Sequence, residues 1–128
     1  MKPDLKTLNT ISISRAAILR NLDIMRKIQP KSAFFPVLKS NAYGHGILQI
    51  LEILKGQNFP YLVVDSFPEY QLVHNHSKFD ILLLGETLPE NYRFFDLRRT
   101  AFAVYTLNAL KALAQLHKNV RIHLFFDT

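Results

Sequence analysis

Residues 61–85 read YLVVDSFPEYQLVHNHSKFDILLLG, in which two short apolar runs lie on either side of a segment with helical spacing. The runs Tyr61–Asp65 and Ile81–Gly85 are nearly continuous in apolar residues and do not alternate with polar ones. Strands that are buried on both faces have this pattern. The stretch therefore predicts a strand, a helix over Phe67–His76 and a second strand parallel to the first.

The same alternation continues in both directions along the chain. Four more apolar runs with β-favouring residues predict strands at Thr10–Ser14, Phe34–Lys39, Phe102–Thr106 and Val120–Phe126. Apolar residues at helical spacing predict a helix that starts near Ser14 and stops at Pro30, and a second helix over 47–54 that ends at Gly56. They also predict a helix over 107–117, with Thr106 or Asn108 as its N-cap, and a weaker helical segment at Pro89–Arg98. Strands that alternate with helices every twenty or so residues indicate the α/β class.

Two architectures fit this order of elements. Five strands could make a complete doubly wound domain of the flavodoxin type. Alternatively, the chain is the N-terminal half of a (β/α)8 TIM barrel, which needs about 250 residues. The last residues, Leu124-Phe125-Phe126-Asp127-Thr128, lie within or just past an apolar strand that no helix follows. This ending favours a partial, truncated barrel.

Composition excludes several classes of protein. The chain has 128 residues, 16 Lys and Arg, 10 Asp and Glu and no Cys, with a formal net charge of +6. Its basic residues are scattered rather than clustered, which predicts a solvated surface and no nucleic-acid partner. No apolar window approaches the roughly 18 residues that would span a membrane. The missing cysteines exclude disulfides and thiolate chemistry and favour the cytoplasm; His74 and His76 have no third ligand near them, so no metal site is predicted.

The chemistry concentrates in residues 36–46, PVLKSNAYGHG. Lys39 ends a predicted strand, at the edge of the sheet where α/β active sites lie, and a partly desolvated amine there is suited to Schiff-base formation. Tyr43 offers a hydroxyl, and Gly44 and Gly46 precede a helix whose N-terminus favours an anion. The set suits a phosphorylated aldehyde cofactor, with His45 expected to support the loop. The alternative is a lysine that extends to solvent beside an ordinary glycine turn.

The string Lys39-Ser40-Asn41-Ala42-Tyr43-Gly44-His45-Gly46 closely resembles the pyridoxal-phosphate motif of alanine racemases, Lys-x-Asn-Ala-Tyr-Gly-His-Gly. Three other segments also resemble that family: the opening strand and helix over 11–22, the strands at 81–85 and 103–106, and the approach to an Asp-Thr-Gly-Met segment at 124–128. The similarity covers essentially all of residues 1–128.

This resemblance implies a barrel that binds pyridoxal 5'-phosphate, completed in the family by a C-terminal β domain and by dimerisation. Lys39 would be the catalytic residue, forming an aldimine with the cofactor and acting as one of two proton-transferring bases. Tyr43 would bind the cofactor phosphate. The second base, a tyrosine of the partner's C-terminal domain, and the arginine facing the pyridine nitrogen would lie beyond residue 128.

The implied function is the interconversion of L- and D-alanine, which supplies a peptidoglycan precursor, by a cytoplasmic homodimer acting on a small amino acid. The isolated 128 residues are expected to be inactive. One position departs from the family, because Phe125 stands where many members have a lysine that orients a substrate-site arginine. This puts the substrate-positioning network in doubt.

Two other functions remain open. A pyridoxal-phosphate homeostasis module would share the barrel and the lysine without racemase activity, but its motif usually lacks the residues that follow Lys39 here. A basic nucleic-acid-binding α/β domain has only the charge in its favour, and a steep salt dependence of oligonucleotide binding would support it.

Overall fold

The computed structural model describes residue 6 and residues 8–126, and the chain divides into two compact units, residues 1–30 and 31–128. In the first unit, helix α1 spans Arg15–Ile28. Ser14 caps it as predicted, because its Oγ accepts a hydrogen bond from the backbone N–H of Ala17 at 3.2 Å. Among the described residues no helix is both long and apolar enough to cross a bilayer.

The strand predicted at Thr10–Ser14 does not form. These residues have no regular structure, and the side chain of Ile11 is 76% exposed. A β-favouring run becomes a strand only when a neighbouring backbone accepts and donates its hydrogen bonds. Within the described part of the chain, no strand pairs with this segment.

The second unit alternates helices and strands. Its helices are α2 (Lys39–Tyr43), α3 (Ile47–Leu54), α4 (Phe67–His76) and α5 (Leu107–Ala114), with a 3-10 helix at Pro89–Phe94. Its strands are β1 (Leu62–Val64), β2 (Ile81–Leu83), β3 (Thr100–Val104) and β4 (Arg121–Leu124). The predicted elements from residue 47 onward are confirmed, with shifts of a few residues at their ends and a shorter segment after Pro89.

The four strands form one parallel sheet in the order β1-β2-β3-β4. In the register between β1 and β2, Val63 lies opposite Leu82. A doubly wound sheet reverses its strand order at a switch point. This sheet has no reversal among the described residues, and chain order is the order in which strands follow one another around a barrel. The sheet is open here, so the structure shows the parallel α/β class and not a closed barrel.

The predicted strand Phe34–Lys39 is reduced to one parallel bridge, between Val37 and Val63. Val63 N–H donates to the Pro36 carbonyl oxygen at 2.9 Å, and Leu38 N–H donates to the Val63 carbonyl oxygen at 2.7 Å. The next backbone hydrogen bond, toward the amino end of this strand, would need an N–H group at position 36. Proline has none, so the pairing cannot extend in that direction.

Apolar side chains cover both faces of the sheet. On the helix side, Phe102 of β3 packs edge to face against Tyr92 and Phe95, at centroid distances of 5.2 and 5.3 Å. On the other face, a buried row of Val63, Leu82 and Ala101 is covered by Phe35, Tyr61 and Leu84. Burial on both faces explains why the strands read as continuous apolar runs.

Candidate functional site

The residues predicted to carry the chemistry lie together at the carboxyl edge of the sheet. Lys39 follows the bridge at Val37 directly, and its side chain is half-buried, whereas Tyr43 is 62% exposed. Leu38 and Ala42 are buried and anchor the segment to the core on both sides of the lysine. Lys39 and Tyr43 therefore lie on one short turn.

That turn has the left-handed conformation. Ser40, Asn41, Ala42 and Tyr43 all have φ between 52° and 54°, in the region that L-residues rarely adopt. The sequence reasoning expected a turn at Gly44 and Gly46 and did not foresee four non-glycine residues of this hand. Each such residue costs about 1–2 kcal/mol, so the segment forms only because other contacts hold it.

Part of the support comes from within the segment. Asn41 provides two acceptors, since its carbonyl oxygen takes the N–H of Gly46 at 2.9 Å and its Oδ1 takes the N–H of Ile47 at 3.0 Å. His45 Nδ1 donates to the carbonyl oxygen of Ala42 at 2.9 Å. His45 thus supports the turn, as expected from the sequence.

The remaining support comes from Glu69 in the first turn of α4. Its Oε1 accepts hydrogen bonds from the N–H of Ser40 at 2.7 Å and of Asn41 at 3.4 Å. Its Oε2 accepts from the N–H of Asp65 at 3.0 Å. Burial raises the pKa of the Glu69 carboxyl, but these backbone donors and the Ser66 hydroxyl outweigh it, and its pKa lies below the usual value.

The Glu69 carboxylate stands where strand pairing would otherwise continue. After the bridge at Val37, the next parallel pair would join Lys39 to Asp65, through Asp65 N–H to the Leu38 carbonyl and Ser40 N–H to the Asp65 carbonyl. Both N–H groups bind Glu69 instead. The Leu38 carbonyl accepts the N–H of Ala42 at 2.7 Å. The strand therefore ends at Lys39, and the turn begins there.

These contacts also use backbone groups that an anion would need. The N–H of Ile47, at the start of α3, is taken by Asn41, and the N–H groups of Ser40 and Asn41 are taken by Glu69. The helix N-terminus predicted to attract a phosphate is thus partly occupied by the chain itself. In this segment the hydroxyl of Tyr43, which is 62% exposed, is one of the side-chain donors that remain for a phosphate.

The donor set fits a phosphorylated aldehyde. A primary amine at the end of a strand can bond covalently to an aldehyde carbon, and a phenol hydroxyl can donate to a phosphate oxygen. Among the described residues, the Tyr43 hydroxyl has no hydrogen-bond partner that would compete with such a ligand. Lys39 and Tyr43 are therefore the residues that would hold pyridoxal phosphate.

Two other strand ends complete the carboxyl edge. A Cβ at Gly85, just after β2, would lie 1.9 Å from the backbone carbonyl oxygen of Asp65, so only glycine fits there. After β4, Phe125 packs on Tyr105 at a centroid distance of 4.8 Å. Phe125 is the residue that the sequence analysis compared with a lysine common in the resembled family. The Asp127-Thr128 pair that the sequence analysis compared with the family lies outside the described residues.

The two histidines of α4 lie away from this edge and do not share a ligand. His76 Nδ1 donates to the carbonyl oxygen of Leu72 at 2.9 Å. The ring of His74 stacks on Tyr70 at 5.3 Å, and its Nε2 lies 3.7 Å from Asp96. In the described part of the chain, no group of three metal-ligating side chains occurs.

Sequence reasoning missed Glu69 and Gly85. The spacing Ser66-x-x-Glu69 is that of a helix capping box and could have drawn attention to the carboxylate. It would have assigned the wrong partner, because a capping box binds its own helix end and Glu69 binds residues 28 and 29 positions earlier.

Comparisons with known proteins agree on one family. The family model described as "Alanine racemase, N-terminal domain" matches residues 13–128. The alanine racemase of Helicobacter pylori strain Shi470 is 31% identical, over 97% of this chain and 34% of that protein. The serine/alanine racemase of Enterococcus gallinarum is 34% identical, over 90% of this chain and 17% of that protein.

A solved structure shows the same fold. The alanine racemase from Oenococcus oeni superposes with a TM-score of 0.75 at 24% sequence identity, over 87% of this chain and 33% of that chain. This chain spans about a third of the length of the first curated relatives that it matches, at 32% and 34%.

Proposed function

The chain belongs to the alanine racemase family, and we propose that its residues form the N-terminal part of a (β/α)8 barrel that binds pyridoxal 5'-phosphate through Lys39. The whole protein would interconvert L- and D-alanine. The single observation that carries the proposal is the position of Lys39 and Tyr43 on one short turn at the carboxyl edge of a parallel sheet. Active sites of barrels lie at that edge.

The chemistry divides between the cofactor and the chain. Pyridoxal phosphate, when bound, withdraws electrons from the α-carbon of an amino acid and so makes its proton removable. Lys39 would hold the aldehyde before the substrate arrives and then, as a free amine, take or return the α-proton on its own face. The Tyr43 hydroxyl would fix the phosphate end, so that the cofactor cannot rotate away from the lysine.

Racemisation needs a proton removed on one face and returned on the other, and therefore two bases. Lys39 supplies one. We assign the second base, the partner of the pyridine nitrogen and most of the phosphate site to parts of the protein outside these 128 residues, and we propose a cytoplasmic homodimer that brings them together. The 128 residues alone should bind the cofactor weakly and should not racemise alanine.

Alanine is the substrate that the relatives favour, since the named relatives are an alanine racemase and a serine/alanine racemase. Phe125 occupies the position of the family's lysine and offers an apolar ring, tilted against Tyr105, instead of a charge. The arginine that such a lysine orients would need another partner in the whole protein.

The first test is chemical and uses the 128-residue chain. Pyridoxal phosphate is added, the protein is reduced with borohydride, and the modified lysine is identified by peptide mass spectrometry. We expect the modification at Lys39 and its loss in Lys39→Ala, while Lys111→Ala, at an exposed position on α5, serves as the matched control. Trapping that is unchanged in Lys39→Ala would refute the assignment of the lysine.

Two further measurements complete the test. Tyr43→Phe should weaken cofactor binding by roughly fivefold to thirtyfold, the effect of one hydrogen bond worth about 1–2 kcal/mol. Production of D-alanine from L-alanine is measured in parallel, and efficient turnover by these residues alone would contradict the need for a second base. Cofactor binding without racemisation in the whole protein would favour the homeostasis module instead.

A further inference from the structure

We propose that Glu69 is a positioning residue for the cofactor site: its carboxylate ends the strand pairing before Lys39 and holds Ser40–Tyr43 in the left-handed conformation that sets where Lys39 and Tyr43 stand. This inference rests on the proposed function, because its purpose is to orient the two cofactor ligands. Glu69 itself does not touch the reacting atoms in this scheme.

Two of the three backbone N–H groups that Glu69 binds belong to Ser40 and Asp65. Ser40 and Asp65 would otherwise complete the next rung between their two segments, as the bond pattern at Val37 and Val63 requires. Each oxygen of one carboxylate accepts from one side of that missing rung, at 2.7 and 3.0 Å. A single anionic side chain therefore replaces two backbone bonds and lets the chain turn away at Lys39.

The left-handed turn forms only if the carboxylate takes the place of these backbone hydrogen bonds. Ser40 and Asn41, whose N–H groups point to Glu69 Oε1, are the first two of the four residues with positive φ. Without the carboxylate, an extended backbone at Ser40 would gain a strand bond and lose the left-handed strain. Two arrangements of residues 39–43 are thus available, an extended one and the left-handed turn, and Glu69 favours the turn.

Glutamine at position 69 tests this geometry with little change in shape. A glutamine side chain has one acceptor oxygen and one NH2 group. The backbone N–H groups on one side of it would therefore face another donor and would lose their hydrogen bond. In Glu69→Gln, without any cofactor, we expect the amides on at least one side, those of Ser40 and Asn41 or that of Asp65, to exchange hydrogen at least roughly tenfold faster, as loss of a charged hydrogen bond implies. The amide of Leu83 in β2 should be unaffected, and Glu52→Gln on α3 is the matched control for loss of charge.

Cofactor loading at Lys39 is the second readout. We expect the apparent affinity for pyridoxal phosphate to fall roughly tenfold to a hundredfold in Glu69→Gln. Ser40→Gly in the same background should restore about fivefold of that loss, because glycine adopts positive φ without strain. Ser40→Ala should restore none, since alanine retains the strain, and equal rescue by both substitutions would overturn the proposal.

The outcomes separate this inference from the proposed function. If wild-type Lys39 takes up no cofactor, the proposed function fails, while amide exchange at Ser40 and Asn41 still decides the role of Glu69. If Glu69→Gln matches wild type in both exchange and loading, only this inference is refuted. If Glu69→Gln unfolds the sheet, as faster exchange at Leu83 would show, the wild-type protein decides. Its Ser40 and Asn41 amides should exchange hydrogen at least roughly tenfold more slowly than exposed amides without a hydrogen bond, and exchange at the rate of such amides refutes the proposal.

Discussion

Replacement of Gly85 by alanine should be among the most damaging small changes in the sheet. The added Cβ would lie 1.9 Å from the carbonyl oxygen of Asp65 and 3.0 Å from its carbonyl carbon. Ordinary van der Waals contact requires a separation greater by about 1.5 Å. The clash is with backbone, so no side-chain rotation can relieve it.

The neighbouring bonds determine how much the backbone can move. The N–H of Leu84 donates to the Val64 carbonyl at 2.8 Å, and the N–H of Asp65 donates to Glu69. A shift of Asp65 or Gly85 therefore weakens at least one of these bonds. Adding the cost of overpacking, we expect the free energy of unfolding to fall by about 3 kcal/mol, at the upper end for such substitutions.

Urea denaturation followed by far-UV circular dichroism measures this loss, and the melting temperature should drop by roughly 10 °C. Gly56→Ala is the matched control, because Gly56 has φ +78° and nothing within 4 Å of an added Cβ. That control carries only the conformational strain, about 1 kcal/mol. If Gly85→Ala were no less stable than Gly56→Ala, the close approach of the backbones could not be as described.

Three further predictions concern charge and association. The pKa of Glu69 is lowered in the folded state, so its contribution to stability is complete above its unfolded value of about 4.3 and is lost as the pH falls through the lower, folded value. Urea titrations should therefore show the stability difference between wild type and Glu69→Gln shrinking as the pH falls below that unfolded value. Asp80→Asn breaks the half-exposed ion pair with Arg121 and should lower the free energy of unfolding, measured by urea denaturation, by about 1 kcal/mol. Most of this difference should disappear at about 1 M salt, because salt screens the ion pair. The chain should self-associate through the outer edge of β4, where no described strand pairs and where Phe125 and Phe126 are 54% and 77% exposed; a monodisperse monomer in sedimentation velocity would contradict this.

The sequence predicted the sheet well because its strands are buried on both faces. The runs at Tyr61–Asp65 and Ile81–Gly85 had to be apolar throughout, and that pattern is visible without a structure. The failures have local causes. Pro36 shortened the strand before Lys39 by removing one donor, and the segment before α1 lacks a described partner.

The site was predictable to the extent that its chemistry lies in one continuous motif. Lys39 and Tyr43 were identified from the residues around them. Glu69 was not, because its hydrogen bonds connect segments almost thirty residues apart and only the folded chain brings them together. The hand of the turn was also hidden, since Ser40 and Ala42 carry no signal for positive φ of the kind that glycine provides.

The left-handed turn has a consequence for the stereochemistry of the polypeptide itself. Its φ and ψ angles, near 54° and 47° at Ala42, are close to the mirror image of the ordinary right-handed helix. A D-alanine introduced at position 42 by chemical synthesis would therefore be relaxed where the natural L-alanine is strained. For genetically encoded residues the same geometry narrows the choice, because a branched Cβ such as that of valine or isoleucine makes positive φ far more costly. Saturation mutagenesis of the exposed positions 40, 41 and 43 should accordingly retain Gly and Asn and lose the branched residues, even under selection for folding alone.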